Sequence, residues 1–232
     1  MKRKILSLFL CSVMLSGVVY GCENKDNNSN GESVSTESAV IPEEVKAKVK
    51  EAAFMESVPI PENGWTDEAL LDTVRINGEK MKFPFTLNDL GDAFAPVNDD
   101  FQNIIKDGMG ASRIAYYQKN IGSIYTYNTS DLNNISNDEI KHFIIEVDDD
   151  EPIKGDFPLS INGVTIGSDY DEICEKLGFE ATDIGSPYTN SQGIFSLTGR
   201  AENYYVSIRG KNMKVKYLGI SYSEKNNENN EE

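Results

Sequence analysis

Few side chains in this 232-residue chain could carry covalent or acid–base chemistry. There are three cysteines (Cys11, Cys22 and Cys174) and one histidine, His142. A zinc helix of the His-x-x-x-His kind needs two imidazoles, so it is excluded. No Gly-x-Ser-x-Gly elbow, Walker glycine loop or dinucleotide fingerprint occurs. His142 lies in "IKHFIIEV", where strand alternation sets His142, Ile144 and Glu146 on one face. Phe143, Ile145 and Val147 take the core face, which leaves His142 exposed with no nucleophile pattern beside it. The run Asp148-Asp149-Asp150-Glu151 offers oxygens that calcium prefers, but lacks the EF-hand alternation and central glycine. It reads as a solvated linker. With 38 acids in the chain, carboxylate pairs for glycoside-type hydrolysis are everywhere in sequence and carry no information without geometry. No catalytic residue, metal ligand or cofactor is assigned.

The tyrosines are more informative. Tyr116, Tyr117, Tyr125, Tyr127, Tyr204 and Tyr205 concentrate in segments that read as strands. An adjacent pair such as Tyr204-Tyr205 must place one ring on each side of a sheet. Rings left on the outer side are suited to partner contact, offering wide area and a polar tip. These six are the candidate partner-binding residues, against the background of ordinary strand propensity for tyrosine.

The elements that must position them divide the chain. "MKRKILSLFLCSVMLSGVVYG" has a positive start, an apolar middle and small residues at its end, the layout of an export signal over 1–21. The apolar stretch is shorter than the roughly 20 residues a spanning helix needs. Residues 22–40 are Asn, Ser, Glu and Gly with almost nothing to bury, so they read as a disordered tether. The acidic tail 224–232 reads the same way. Residues 41–73 hold a helix opened by Pro42-Glu43-Glu44 and a second, short one capped by Thr66.

Beyond residue 73 the order of elements runs twice. Ile76-Asn77-Gly78 and Ile161-Asn162-Gly163 each read as a tight hairpin, because Asn and Gly both tolerate positive φ. Each hairpin leads to a helix, the first faced by Leu87, Leu90 and Phe94 with Thr86 as cap. The second is faced by Tyr170, Ile173, Cys174 and Leu177 with Ser168 as cap. Cys174 reads as a core residue. Three strands then follow each helix, at 112–118, 122–128 and 141–147, and at 193–199, 204–210 and 215–223. The expected fold class is α+β, two tandem repeats (74–150 and 151–223) behind an N-terminal helix.

Two resemblances add to this. "VVYGC" resembles a bacterial lipobox, with Val19 aliphatic, Tyr20 in the variable place, Gly21 small and Cys22 as the acceptor. It implies diacylglyceryl transfer to Cys22 and cleavage before it, and so a lipid-anchored protein on the extracytoplasmic face of the cell membrane. The order of elements, with "VTIGSDYDEICEKLG", resembles β-lactamase-inhibitory-protein-type repeats and the assembly lipoproteins of the SmpA/OmlA type. Phe179-Glu180 stands where those domains commonly carry a proline. In style the chain resembles uncharacterised lipoproteins of Gram-positive gut anaerobes, which imply no activity.

Formal charge is −16, and loss of Lys2, Arg3 and Lys4 with the signal would take it to −19. Such a body repels phosphate backbones, which excludes nucleic acid as a partner. The expected function is a non-catalytic binding or envelope-assembly module with an exposed sheet face toward an envelope protein or cationic ligand. The alternative is a carboxylate-dependent envelope hydrolase.

Overall fold

Alternation of apolar and polar residues, with tyrosine and β-branched side chains, produces a strand in each of the six segments read as extended. The one expected over 112–118 ends at Tyr116, and Tyr117 and Gln118 turn at φ 45° and 66°. The computed structural model describes residues 39–97, 109–127, 132–179 and 193–223, side chains of 132–134 excepted. Cys22, the signal, the tail and all but the last two tether residues lie outside them. No helix of the described residues is long and apolar enough to cross a membrane.

The protein is α+β, mostly antiparallel sheet with a few helices. In chain order the helices are α1 (Glu43–Phe54), α2 (Asp67–Asp72) and α3 (Tyr170–Leu177). A first hairpin, β1 (Val74–Ile76) and β2 (Glu79–Lys80), is followed by the short strands β3 (Phe85–Thr86) and β4 (Phe94–Pro96). Next come β5 (Met109–Tyr116), β6 (Lys119–Tyr127) and β7 (Glu139–Glu146). The second hairpin is β8 (Leu159–Ile161) and β9 (Val164–Thr165), and the last three strands are β10 (Phe195–Arg200), β11 (Tyr204–Lys211) and β12 (Lys214–Tyr222).

The two hairpins form one small sheet, β2-β1-β8-β9, in which β1 pairs antiparallel with β8. Both turns carry the expected conformation: Asn77 and Gly78 at φ 57° and 81°, Asn162 and Gly163 at φ 49° and 76°. The other strands form a large sheet, β10-β11-β12-β7-β6-β5-β4, with β3 on β7. Its inner face carries Ile124, Phe143, Ile145, Leu218, Val206 and Ile208, all buried in one cluster with Leu159 and Ile161 of the small sheet. Helix α1 covers the small sheet from outside: Ser160 donates to the Ala52 carbonyl, and Gly78 passes against the Lys48 backbone.

Two local expectations are corrected. The helix expected from Leu87 to Phe94 is a single 3-10 turn, Asn88–Leu90. The Asp89 carboxylate accepts from both the N–H and the hydroxyl of Thr86, closing the turn, and Gly91 at φ 72° ends it. Phe94 is then free to pair with Tyr116 as a strand, so the three apolar residues are buried without a common helix. The cap of α3 is Asp169, not Ser168. Asp169 and Glu172 form a reciprocal capping box, while buried Ser168 accepts from the Thr165 N–H.

Candidate functional site

Antiparallel register fixes which side chains share the outer face of the large sheet. One cross-strand row runs Tyr125, His142, Ser221, Tyr205. The next runs Ser123, Ile144, Gly219, Ser207, Thr198, and a third Glu146, Tyr217, Arg209. His142 and Glu146 thus stand on the side that alternation assigned them. Phe143 and Ile145 point the other way into the core.

His142 is the centre of an aromatic group. Tyr125 meets it edge-on at 5.4 Å, Tyr127 stacks at 6.5 Å, and Tyr205 lies at 6.2 Å. Its Nδ1 is 2.9 Å from the Ser221 hydroxyl and 3.5 Å from that of Tyr205. Burial under these rings holds the imidazole below its ordinary proton affinity, so it is neutral at pH 7. It is half-buried rather than fully exposed. Beside it Tyr217 leans over Gly219, where a Cβ would lie 3.0 Å from Ile144 Cγ1. The Arg209 guanidinium stacks on the Tyr217 ring at 3.8 Å and bonds Glu146 at 3.4 Å. Burial raises the Tyr217 phenol against the opposing pull of Arg209.

No family model, curated protein or solved structure matches the chain. What this surface does must come from its own chemistry.

The six tyrosines divide. Tyr125, Tyr127 and Tyr205 come together on the outer face around His142, with Tyr127 39% exposed. Tyr116 is turned inward at 3% exposure, its hydroxyl donating to Asn77 Oδ1 at 2.6 Å, and burial raises its phenol. Tyr117 sits in the β5–β6 turn at φ 45°. Tyr204 packs on Phe83 and Tyr222, and burial pushes its phenol up to about 12. Sequence reasoning missed Tyr217 as a site residue, although its alternation with the apolar Leu218 and Ile220 marks it as outward.

Two grooves border this part of the sheet. One, of about 640 Å³, lies at the β5–β7 end of the outer face between Arg113, Ser123, Tyr125 and Glu146. The other, of about 700 Å³, lies between α1 and the 149–157 loop and takes in Tyr116 and Tyr117. Lys119, Asp149 and Phe157 line both, so the acidic loop forms a wall rather than a mere linker. Its Asp150 is held by Lys211 and Lys216, which keep that carboxyl below the usual range. Among the described residues no three His, Cys, Asp or Glu stand together as a metal site.

Cys174 is corrected from core to half-buried, its thiol donating to the Phe179 carbonyl at 3.6 Å. The Asp67 carboxylate, unmarked in the sequence, accepts from the N–H groups of Asn203 and Tyr204. It anchors the β10–β11 end of the site.

Proposed function

We propose that this protein is a lipid-anchored module of the extracytoplasmic membrane face that works by contact. Cys22 carries the lipid, residues 22–40 are the tether, and the body binds an envelope partner through the outer face of its large sheet. The single observation that carries this reading is the gathering of Tyr125, Tyr127 and Tyr205 around a neutral His142 on a face opposite the core. Aromatic rings with polar tips, set on rigid strands, are the usual anchors of recognition surfaces.

The same reading takes the body as two related units. In its support, the two Asn-Gly hairpins pair with each other through β1 and β8. Likewise the two three-stranded meanders join through their last strands, β7 and β12, again antiparallel. An antiparallel join of like elements is what a two-fold relation between two copies requires.

A hydrolase using a carboxylate pair would need an acid with raised proton affinity. The shifts resolved at Glu79, Asp89, Asp150 and Glu172 all run downward. For Glu172 burial works upward, and Lys154, Lys176 and the Asp169 N–H outweigh it. None of these four groups is such an acid.

A photo-crosslinking residue placed at Tyr127, compared with one at exposed Glu68 on α2, tests the reading in intact cells. Adducts at 127 and none at 68 are expected. Equal adducts at both positions, or none at 127, would reject the outer face as the working surface.

A further inference from the structure

We propose that the groove at the β5–β7 end of the outer face is a binding site for a neutral saccharide. This rests on the reading that the outer face is a contact surface and names what it contacts. A volume of about 640 Å³ falls within the roughly 300–1,000 Å³ of small-ligand sites. The lining is specific in type. Arg113 and Asn120 supply planar donors, Ser123 a hydroxyl, Tyr125 a ring face, and Glu146 and Asp148 acceptor oxygens. A sugar presents hydroxyls that donate and accept in fixed directions, together with a C–H patch that lies on a ring. These side chains supply a complement to each.

Charge decides against the other classes. The chain carries −16 overall, yet this groove sets Arg113 and Lys119 opposite Glu146, Asp148 and Asp149, close to balance. An anion would meet three carboxylates. A cation would compete with Arg209 for Glu146 and would meet Arg113 and Lys119 in the same groove, while Asp150 nearby is already paired with Lys211 and Lys216. An uncharged polyhydroxyl ligand brings no charge to be matched, and its hydroxyls can donate to the carboxylates and accept from the cationic side chains.

The surface also continues beyond the groove in the right materials. From Tyr125 the row proceeds to His142 and Tyr205, and from Ser123 the neighbouring row reaches Ser207 and Thr198. From β5 to β10 these rows cross six strands, about 24 Å at a strand spacing of ~4.8 Å. That length accommodates an oligosaccharide in line rather than a single ring.

The test is calorimetric titration of the full chain in detergent with short neutral oligosaccharides of glucose, mannose, galactose and N-acetylglucosamine, and with an oligolysine peptide as the competing class. At least one sugar should bind, and Glu146→Gln and Tyr125→Ala should each weaken it about tenfold. Tyr125→Phe, which keeps the ring, should bind nearly as the parent does. Unchanged Trp65 fluorescence shows that each variant is folded. No sugar bound at millimolar concentration, or binding indifferent to both variants, overturns the proposal. Oligolysine binding without sugar binding overturns the saccharide and leaves the contact face standing. Loss of the crosslinks at 127 removes the face itself.

Discussion

Asn77 and Asn162 are the same residue in the same kind of turn, yet they do different work. Asn162 is fully buried: its Oδ1 accepts from the Val58 N–H at 2.7 Å, and its Nδ2 donates to the carbonyls of Val58 and Lys176 at 2.9 and 2.6 Å. It ties the chain after α1 to the end of α3. Among the described residues the Asn77 side chain accepts the Tyr116 hydroxyl alone. Replacing Asn162 by Ala strands buried polar groups and should cost about 2–3 kcal/mol, measured as a shift in the urea midpoint. The same change at Asn77 should cost clearly less. His142 gives a second residue-level test, because it is the chain's one histidine and its NMR signal needs no assignment. Its proton affinity is depressed in the folded state from the ordinary 6.5. Below about pH 6.5 the unfolded chain binds the proton more readily, so stability falls as pH drops toward the folded pKa. His142→Gln should flatten that acid limb. A midpoint at or above 6.5 would contradict the buried geometry.

At the level of elements, the close approaches of glycine set the layers. A Cβ on Gly78 would stand 2.6–2.8 Å from Lys48 Cβ and backbone atoms in α1, at a φ of 81° that already strains any side chain. Gly78→Ala should therefore cost about 3 kcal/mol by displacing α1 from the small sheet. Gly178, which ends α3 at φ 68°, faces only the tip of the Ile60 side chain at 3.0 Å. Gly178→Ala should cost about 1 kcal/mol, chiefly its left-handed backbone. Denaturant melts of the two variants separate these cases. The strands and both Asn-Gly hairpins were legible in the sequence because period-two alternation and turn chemistry are local. The helix expected at 87–94 was not, since Leu87, Leu90 and Phe94 satisfy a helical spacing while being buried by a 3-10 turn and a strand. Nor could sequence tell which tyrosines would face outward together. Tyr125 meets His142 only through the β6–β7 register, which shifts at Tyr125/Thr126. The tie from Asp67 to Asn203 spans 136 positions and leaves no local trace.

Across the whole molecule, acidity and aromatic content are distributed unevenly. A chain with a formal charge of −16 is repelled by an anionic surface, while one sheet face gathers rings, hydroxyls and a groove of mixed charge. Lipid on Cys22 would hold that body near the envelope, since its own charge would not. The large sheet's inner face is committed to the core through Phe143, Ile145 and Leu218, so of that sheet's two faces the outer is the one open to a partner. Oxidative footprinting of tyrosines compares this surface directly in purified protein and in intact envelopes. Tyr127 and Tyr205 should lose labelling in the envelope, while Tyr222 on the far side keeps it. Equal labelling of Tyr127 and Tyr205 in both settings would mean that nothing sits on the outer face, and the account would be wrong.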